Sequence, residues 1–215
     1  MKSEQYSPCD YVNQVRDNQP KPLTAEYFDT LLRDMNVKML CAKVREHKPE
    51  AERYKSALPA ICWQAHFDGK LRTAQNARPS GLFCLDVDIH HEQWFIDLCK
   101  WGNPKAAYEW AESEAKVRAL EWAKMARRED DEGVKNPVDE LGIVAVHVSP
   151  SGTGVHVVAC CHLLCKDIAE NQSRLARLLG TEYDAVCKDW PRIFFITPEE
   201  DWTYIDRKTL FGVEN

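Results

Sequence analysis

Leu141-Gly142-Ile143-Val144-Ala145-Val146-His147-Val148-Ser149, Pro150-Ser151-Gly152-Thr153-Gly154 and Val155-His156-Val157-Val158-Ala159-Cys160-Cys161 follow one another without a break. The outer two segments are apolar and rich in β-branched residues, and the middle one is small, hydroxylated and glycine-containing. That pattern predicts two strands joined by a turn, a hairpin. Hairpin strands are antiparallel neighbours. Helical stretches lie on either side, so the fold class expected is α+β with a largely antiparallel sheet rather than a doubly wound parallel one.

Upstream, Pro79-Ser80-Gly81 introduces Leu82-Phe83-Cys84-Leu85-Asp86-Val87-Asp88-Ile89, apolar except for its two aspartates and read as a buried central strand. His91 to Trp101 reads as helical. Asn103 as cap and Pro104 at the first helical position then open a long helix through Trp110, Val117, Leu120 and Met125 to about 128. The charged run 127–140 reads as a loop. Towards the N-terminus, Leu58 to Trp63 leads into a strand and 44–56 is a polar helical stretch. Thr24 caps a helix carrying Tyr27, Phe28, Leu31, Leu32 and Met35. Residues 1–22 are polar and without period, and read as a flexible arm before one domain over 23–215. Downstream, Asp167 to Leu179 is helical with Gly180 as its stop, and Arg192 to Thr197 is a strand.

Hydrophobic residues make up 44% and charged residues 29% of the 215, a balance that supports an ordinary globular core. No run approaches the roughly 18 apolar residues of a membrane span, and Met1 to Gln14 lacks a signal-peptide core, so a cytoplasmic location with no membrane partner is expected. Nine cysteines, an odd number without an export signal, are expected to be free thiols. A net charge of -6 argues against coating nucleic acid by bulk charge and leaves room only for local contact. Lys43, Arg45, Lys48, Arg53 and Lys55, then Lys70, Arg72 and Arg78, are the basic stretches available, as a contact surface or as a solvated face.

Alternation along a strand puts Asp86 and Asp88 on one side and Leu85, Val87 and Ile89 on the other. Two such carboxylates need a cation, an arginine or protons to offset their repulsion. Mg²⁺ or Mn²⁺, which favour oxygen ligands, meets that need and suits phosphoryl chemistry; the plainer reading is a surface pair at a strand end. In the turn, Ser151, Gly152, Thr153 and Gly154 could aim backbone N–H groups at a phosphate, with His156 just beyond to contact its oxygens. A tight turn beside a half-buried histidine is the plainer reading there. Asp184 offers a third acid with Lys188 and Arg192 near it in sequence, against an ordinary charged loop. Cys160, Cys161, His162 and Cys165 raise structural zinc, but adjacent cysteines on a strand point to opposite faces and no CxxC pair exists, so core thiols are preferred. Trp94, Trp101, Trp110 and Trp122 could stack bases, but their helical spacing favours the core.

As an ordered set, these elements resemble the archaeo-eukaryotic primase (primase-polymerase) superfamily, most closely its VirE N-terminal type of primase-like domain. The likeness rests on Ser80-Gly81-Leu82 leading to Leu85-Asp86-Val87-Asp88, Leu141-Gly142-Ile143 running into Val148 to Gly154, Tyr183-Asp184 with Lys188-Asp189 and Arg192, and the closing Tyr204-Ile205-Asp206 with Leu210-Phe211. It covers about Leu58 to the C-terminus. The resemblance implies an RRM-like catalytic core flanked by helices; the stretch between Asp88 and Ser149 departs from the family pattern in being longer and more helical, with the helical part of 91–140 as an insertion. It implies Asp86, Asp88 and Asp184 as ligands of two Mg²⁺ or Mn²⁺ ions and His156 as the contact to the phosphates of an incoming nucleotide. Ser151 to Gly154 would surround the triphosphate, with Lys188 and Arg192 as phosphate or template contacts. The activity implied is template-directed primer synthesis or extension from NTP or dNTP on single-stranded DNA in replication of DNA or mobile elements, with a helicase region on the same or a partner chain. A catalytically silent nucleic-acid-binding module and a metal-dependent nuclease are the alternatives.

Overall fold

The computed structural model describes residues 6–127 and 141–213. Along the chain run β1 (Asp10–Val12), β2 (Lys21–Pro22), α1 (Ala25–Leu32), α2 (Met35–Val44), α3 (Ala51–Ser56), β3 (Ala60–Cys62), β4 (Ala65–His66), β5 (Arg78–Pro79) and β6 (Leu82–Asp88). After β6 come α4 (Gln93–Lys100), α5 (Pro104–Arg127), β7 (Ile143–Val148), β8 (Gly154–Cys160), α6 (Ile168–Leu179), β9 (Phe194–Phe195), β10 (Trp202–Ile205) and α7 (Arg207–Phe211). The α+β class with antiparallel sheets is what forms. The principal sheet has the order β10-β7-β8-β6, every neighbour antiparallel. β7 and β8 are the hairpin read from sequence. β6 returns to β7 through α4 and α5 with β8 between them, a split β-α-β unit.

Both faces of this sheet are covered. On one, Phe83, Leu85 and Val87 of β6, Val155 and Val157 of β8, and Val146 and Val148 of β7 pack with Phe95, Trp122, Ile168 and Leu175. On the other, Leu82, Cys84, Ala145 and Val158 meet Leu23, Phe28, Leu31, Trp63 and Phe211. Each fully buried large apolar side chain stabilises the fold by about 1.5–3 kcal/mol before ordering costs. α5 buries Ala107, Ala111, Ala115, Ala119 and Ala123, one alanine every fourth residue, while Trp110, Val117 and Leu120 are exposed. The sequence placed Trp110 in the core by its helical spacing, but the inward face is the alanine one. Alanine serves there because methyl-sized side chains let a helix lie close against a sheet.

The N-terminal stretch departs most from expectation. Cys9 to Val12 is buried, and β1 lies between β2 and β3 in a second sheet of order β2-β1-β3-β9, so residues 9–12 of the expected flexible arm belong to the core, while 13–19 are exposed or half-buried. One buried strand of three residues is too short to show a period, which is why the sequence hid it. The helix expected through Met35 breaks at Arg33, because the Asp34 carboxylate accepts from the Asn36 N–H at 2.7 Å and caps a new helix. Met35 is exposed. The strand expected over 192–197 is only β9, and the polar helical stretch over 44–56 is only α3 from Ala51. The loop expected over 127–140 lies outside the described residues beyond Arg127. Among the described residues no helix is long and apolar enough to cross a membrane, and all nine cysteines are free.

Candidate active site

A row of side chains crosses three strands of the principal sheet. Register sets Asp86 opposite His156 and His156 opposite His147. His156 Nε2 lies 3.4 Å from Asp86 Oδ1, its Nδ1 lies 3.3 Å from His147 Nε2, and His147 Nδ1 lies 3.1 Å from both the Val148 carbonyl and Thr197 Oγ1. His147 reaches this face through a bulge. Pairing slips between Ile143 and Ala145, so Val144 and Ala145 both pack into the same core cluster and every later residue of β7 changes side. Without it His147 would point at α5.

Asp184 comes to the same place from the loop after α6. Its N–H donates to the Asp86 carbonyl at 2.8 Å, and the Gln172 amide of α6 donates to the carbonyls of Cys84 at 2.9 Å and Cys187 at 3.0 Å. The outer edge of β6 is thereby covered. Cys187 Sγ sits 3.6 Å from the Asp86 carboxylate and 3.5 Å from that of Asp184. Burial would push the Asp86 carboxyl up, but the His156 charge and hydrogen bond, with the Cys187 thiol and Lys55, outweigh it and hold Asp86 below the usual carboxylate range. Asp88 moves the opposite way, raised by burial and by the Asp86 charge. Asp88 is therefore the member of the pair short of positive charge, as an acid placed for a cation would be. Among the described residues two groups have ligand atoms within 4.8 Å of one another, Asp86 with Asp184 and Cys187, and Asp88 with His90 and His91. The oxygens suit Mg²⁺ or Mn²⁺, and the thiol and imidazoles add affinity for softer divalent ions.

The turn between β7 and β8 is held from within. Gly152 N–H donates to the Ser149 carbonyl and Ser149 N–H to the Gly154 carbonyl, each at 2.9 Å, while Thr153 N–H reaches Ser151 Oγ at 3.4 Å. Of the expected cradle of backbone N–H groups, those of Gly152 and Thr153 are thus spent on the turn itself. What the turn offers the site is hydroxyl: Ser149, Ser151 and Thr153 form a chain with 3.0 Å spacings, and Ser149 and Ser151 line the cavity. Arg45, the C-cap of α2, clamps it from behind through the carbonyls of Pro150 at 3.3 Å and Ser149 at 3.4 Å, and is itself held by the Asp201 carboxylate at 2.6 Å. Gly154 lets the turn lie on β6, for a Cβ there would stand 2.8 Å from the Val87 carbonyl and 3.1 Å from Asp88 Oδ1. Gly154→Ala is expected to cost about 1–3 kcal/mol by forcing β8 from the end of β6, read by denaturant melts, with Asp88 displaced. A melt unchanged from the parent would refute the contact.

Asp86, Asp88, Asp184, His156, Ser151 and Arg192 all line one cavity of about 210 Å³, with Lys55, Cys187 and Phe195. Gly152, Thr153 and Gly154 sit behind it, buried. Lys188 is exposed and does not line it. Arg192 enters already paired with Asp189 at 2.8 Å. Lys55, whose Nζ lies 5.6 Å over the Phe195 ring, was only one of several basic residues in the sequence, because its helix reaches the acids through tertiary packing. Cys187, His90, His91 and His147 carried no functional signal in the sequence, and Arg45, like Lys55, was only one of its basic residues. A larger groove of about 740 Å³ beside α4, α5 and the end of α6 carries Glu92, Glu114, Glu121 and Glu182. Its Arg118 is taken up by Glu92 and Glu114, so that groove repels phosphate. Of the tryptophans offered for base stacking, Trp122 is buried while Trp101 and Trp110 are exposed. Among the described residues, Cys160, Cys161, His162 and Cys165 form no metal-capable group. No family model, curated protein or solved structure matches the chain.

Proposed function

We propose that the chain is a metal-dependent nucleotidyltransferase of the primase-polymerase kind, extending or starting a strand on single-stranded DNA with NTP or dNTP. The observation that carries this reading is the convergence of Asp86, Asp88, Asp184 and His156, from three separate parts of the sequence, on one cavity that also holds Lys55, Arg192 and the Ser151 hydroxyl. Acids and bases in one small cavity suit a triphosphate with its counter-ions better than either charge alone. The strand arrangement supports the reading as well. With the Asp184 segment on the free edge of β6, the order outward is that segment, β6, β8, β7; α4 and α5 join β6 to β7, and α6 joins β8 to the Asp184 segment, as in the β-α-β-β-α-β succession of an RRM-like core, with β10 added beyond β7.

In this reaction a 3′-hydroxyl oxygen attacks the α-phosphorus, the bond to the bridging oxygen breaks, and pyrophosphate leaves. Asp86 with Asp184, and Asp88 with His90 and His91, would hold the divalent ions. Such ions, when bound, make the hydroxyl more acidic and offset charge on the leaving group. Lys55 and Arg192 flank the cavity as phosphate contacts, and His156 Nε2 faces a phosphate oxygen. Phe195 supplies an apolar wall on which a base or sugar can rest. The acidic chain binds nucleic acid here locally, as its net charge requires. A helicase region acting with it remains part of the same reading.

The test is incorporation of labelled nucleotide on single-stranded DNA with Mg²⁺ or Mn²⁺, together with melting of the protein. Metal plus NTP at 100 times its Kd is expected to stabilise the fold by about 2.7 kcal/mol, and Asp86→Ala to abolish both this and product. DNA binding with no product under either ion would favour the silent module, and shortening of labelled DNA without nucleotide would favour a nuclease.

A further inference from the structure

We propose that Gln172 is a positioning residue whose side-chain amide ties the segment carrying Asp184 to the free edge of β6, and so sets the third acid beside the other two. The tie itself needs no function to be read; that it places a metal ligand rests on the function proposed above.

Residues 180–193, between α6 and β9, contain no helix or strand, and an ordered connection of that length usually serves a function. Its turn from Asp184 to Cys187 is closed from within: the Cys187 N–H donates to the Asp184 carbonyl at 3.2 Å and the Val186 N–H to Asp184 Oδ1 at 2.9 Å. Asp184 Oδ2 is left, 3.5 Å from Cys187 Sγ, which lies 3.6 Å from Asp86 Oδ2. What the turn lacks is a ladder to the strand. Among the described residues it makes one backbone hydrogen bond to β6, from the Asp184 N–H to the Asp86 carbonyl at 2.8 Å.

Gln172 supplies the next rung. Its Nε2 donates to the Cys84 carbonyl at 2.9 Å and to the Cys187 carbonyl at 3.0 Å, so the amide bridges strand and turn where backbone does not. Both carbonyls only accept, which fixes the nitrogen as the atom between them. Cys84 and Asp86 stand two residues apart on β6, their carbonyls leave by the same edge, and the turn is pinned at both ends. The Gln172 side chain is fully buried. Without it two carbonyls lose their partner and Asp184 hangs from a single hydrogen bond.

The rest of the connection is held in the same manner, by Gln64 Nε2 on the Asp189 carbonyl at 2.8 Å and Arg72 Nη1 on the Pro191 carbonyl at 2.9 Å. Among the described residues four buried side-chain polar atoms have no hydrogen-bond partner, and Gln172 Oε1, Gln64 Oε1 and Arg72 Nε are three of them. An apolar side chain at each place would avoid that loss. These side chains instead hold a loop by its carbonyls, and of the three Gln172 is the one that acts on the turn of Asp184. Partners that fix a metal ligand in this way usually cost about 10- to 100-fold in metal affinity when lost.

Backbone amide hydrogen exchange followed by NMR without metal or nucleotide, and Mn²⁺ affinity from the electron paramagnetic resonance of the free ion, test this on Gln172→Met, which is similar in volume and has no donor. Exchange at the Asp184 N–H is expected to quicken about tenfold or more relative to the Val157 and Val158 amides of β8, and Mn²⁺ affinity to fall about 10- to 100-fold. Gln64→Met, which releases the loop at Asp189, should keep both near the parent's values. Gln172→Asn, too short to span the two carbonyls, should follow Gln172→Met and decides if that variant does not fold. Asp184 exchange that quickens only in step with Val157 and Val158 overturns the proposal, as do an unchanged Mn²⁺ affinity, a parent that binds no Mn²⁺, the same changes in Gln64→Met, or failure of both Gln172 variants to fold. Mn²⁺ affinity that depends on Gln172 in a protein that incorporates no nucleotide would sink the polymerase reading and leave this one standing.

Discussion

Asp88→Asn is expected to make the metal-free protein more stable while reducing nucleotide incorporation by about a thousandfold or more, roughly 4 kcal/mol of barrier. The two effects have one origin. Asp88 is only 23% exposed and its pKa is raised by burial and by the Asp86 charge, so its ionised form opposes folding. An acid whose folded-state pKa lies above its unfolded value destabilises the fold when charged. The gain from asparagine is therefore full above that raised pKa and shrinks as pH falls through it towards the unfolded value. About 1 kcal/mol at neutral pH is the expected scale for relieving such a site. Added Mn²⁺ should reverse the ranking, because the parent gains from binding and the variant loses a ligand. Thermal melts with and without Mn²⁺, at pH 5 and pH 8, check this. A variant that melts below the parent without metal would mean that Asp88 is structural and not held for a cation.

What the sequence revealed and what it concealed divide along the length of chain each feature needs. The β7–β8 hairpin, β6 with its paired acids, the start of α5 at Pro104 and the end of α6 at Gly180 are written in neighbouring residues, by alternation, capping and left-handed glycine. Gly180 indeed has φ +65°. Features of the site that depend on distant packing were not legible. The alternation of β7, read without its bulge, puts His147 on the wrong face. Lys55 looks like any lysine of a polar helix until α3 packs beside β9. Asp184 could be suspected as an acid, but the hydrogen bond to the Asp86 carbonyl that sets it beside β6 joins residues almost a hundred positions apart. The turn shows the converse: its glycines suggested a phosphate cradle, whereas Gly154 serves the close approach of β8 to β6.

Arg45→Met is expected to destabilise the protein by about 3–5 kcal/mol, since it strips the partner from a buried carboxylate. Asp201 is 6% and Arg45 26% exposed in their side chains, and they meet at 2.6 Å. Burial already raises the Asp201 pKa against the pull of Arg45, and removing the guanidinium would raise it further. The penalty should thus be largest at alkaline pH and shrink as pH falls and Asp201 takes a proton. Replacing both residues, as Arg45→Met with Asp201→Leu, should cost much less than the sum of the single changes, because no unpaired charge is left inside. The double variant separates stability from function. Arg45 also donates to the Ser149 and Pro150 carbonyls, so a protein with the pair replaced would fold yet hold the Ser151 hydroxyl less firmly against the acids. Its nucleotide KM should then rise about tenfold, the size of one lost hydrogen bond. Urea melts of the three variants and incorporation by the double variant read the two roles apart. Additive single losses would show that Arg45 and Asp201 act independently, and an unchanged KM would show that the clamp leaves the cavity alone.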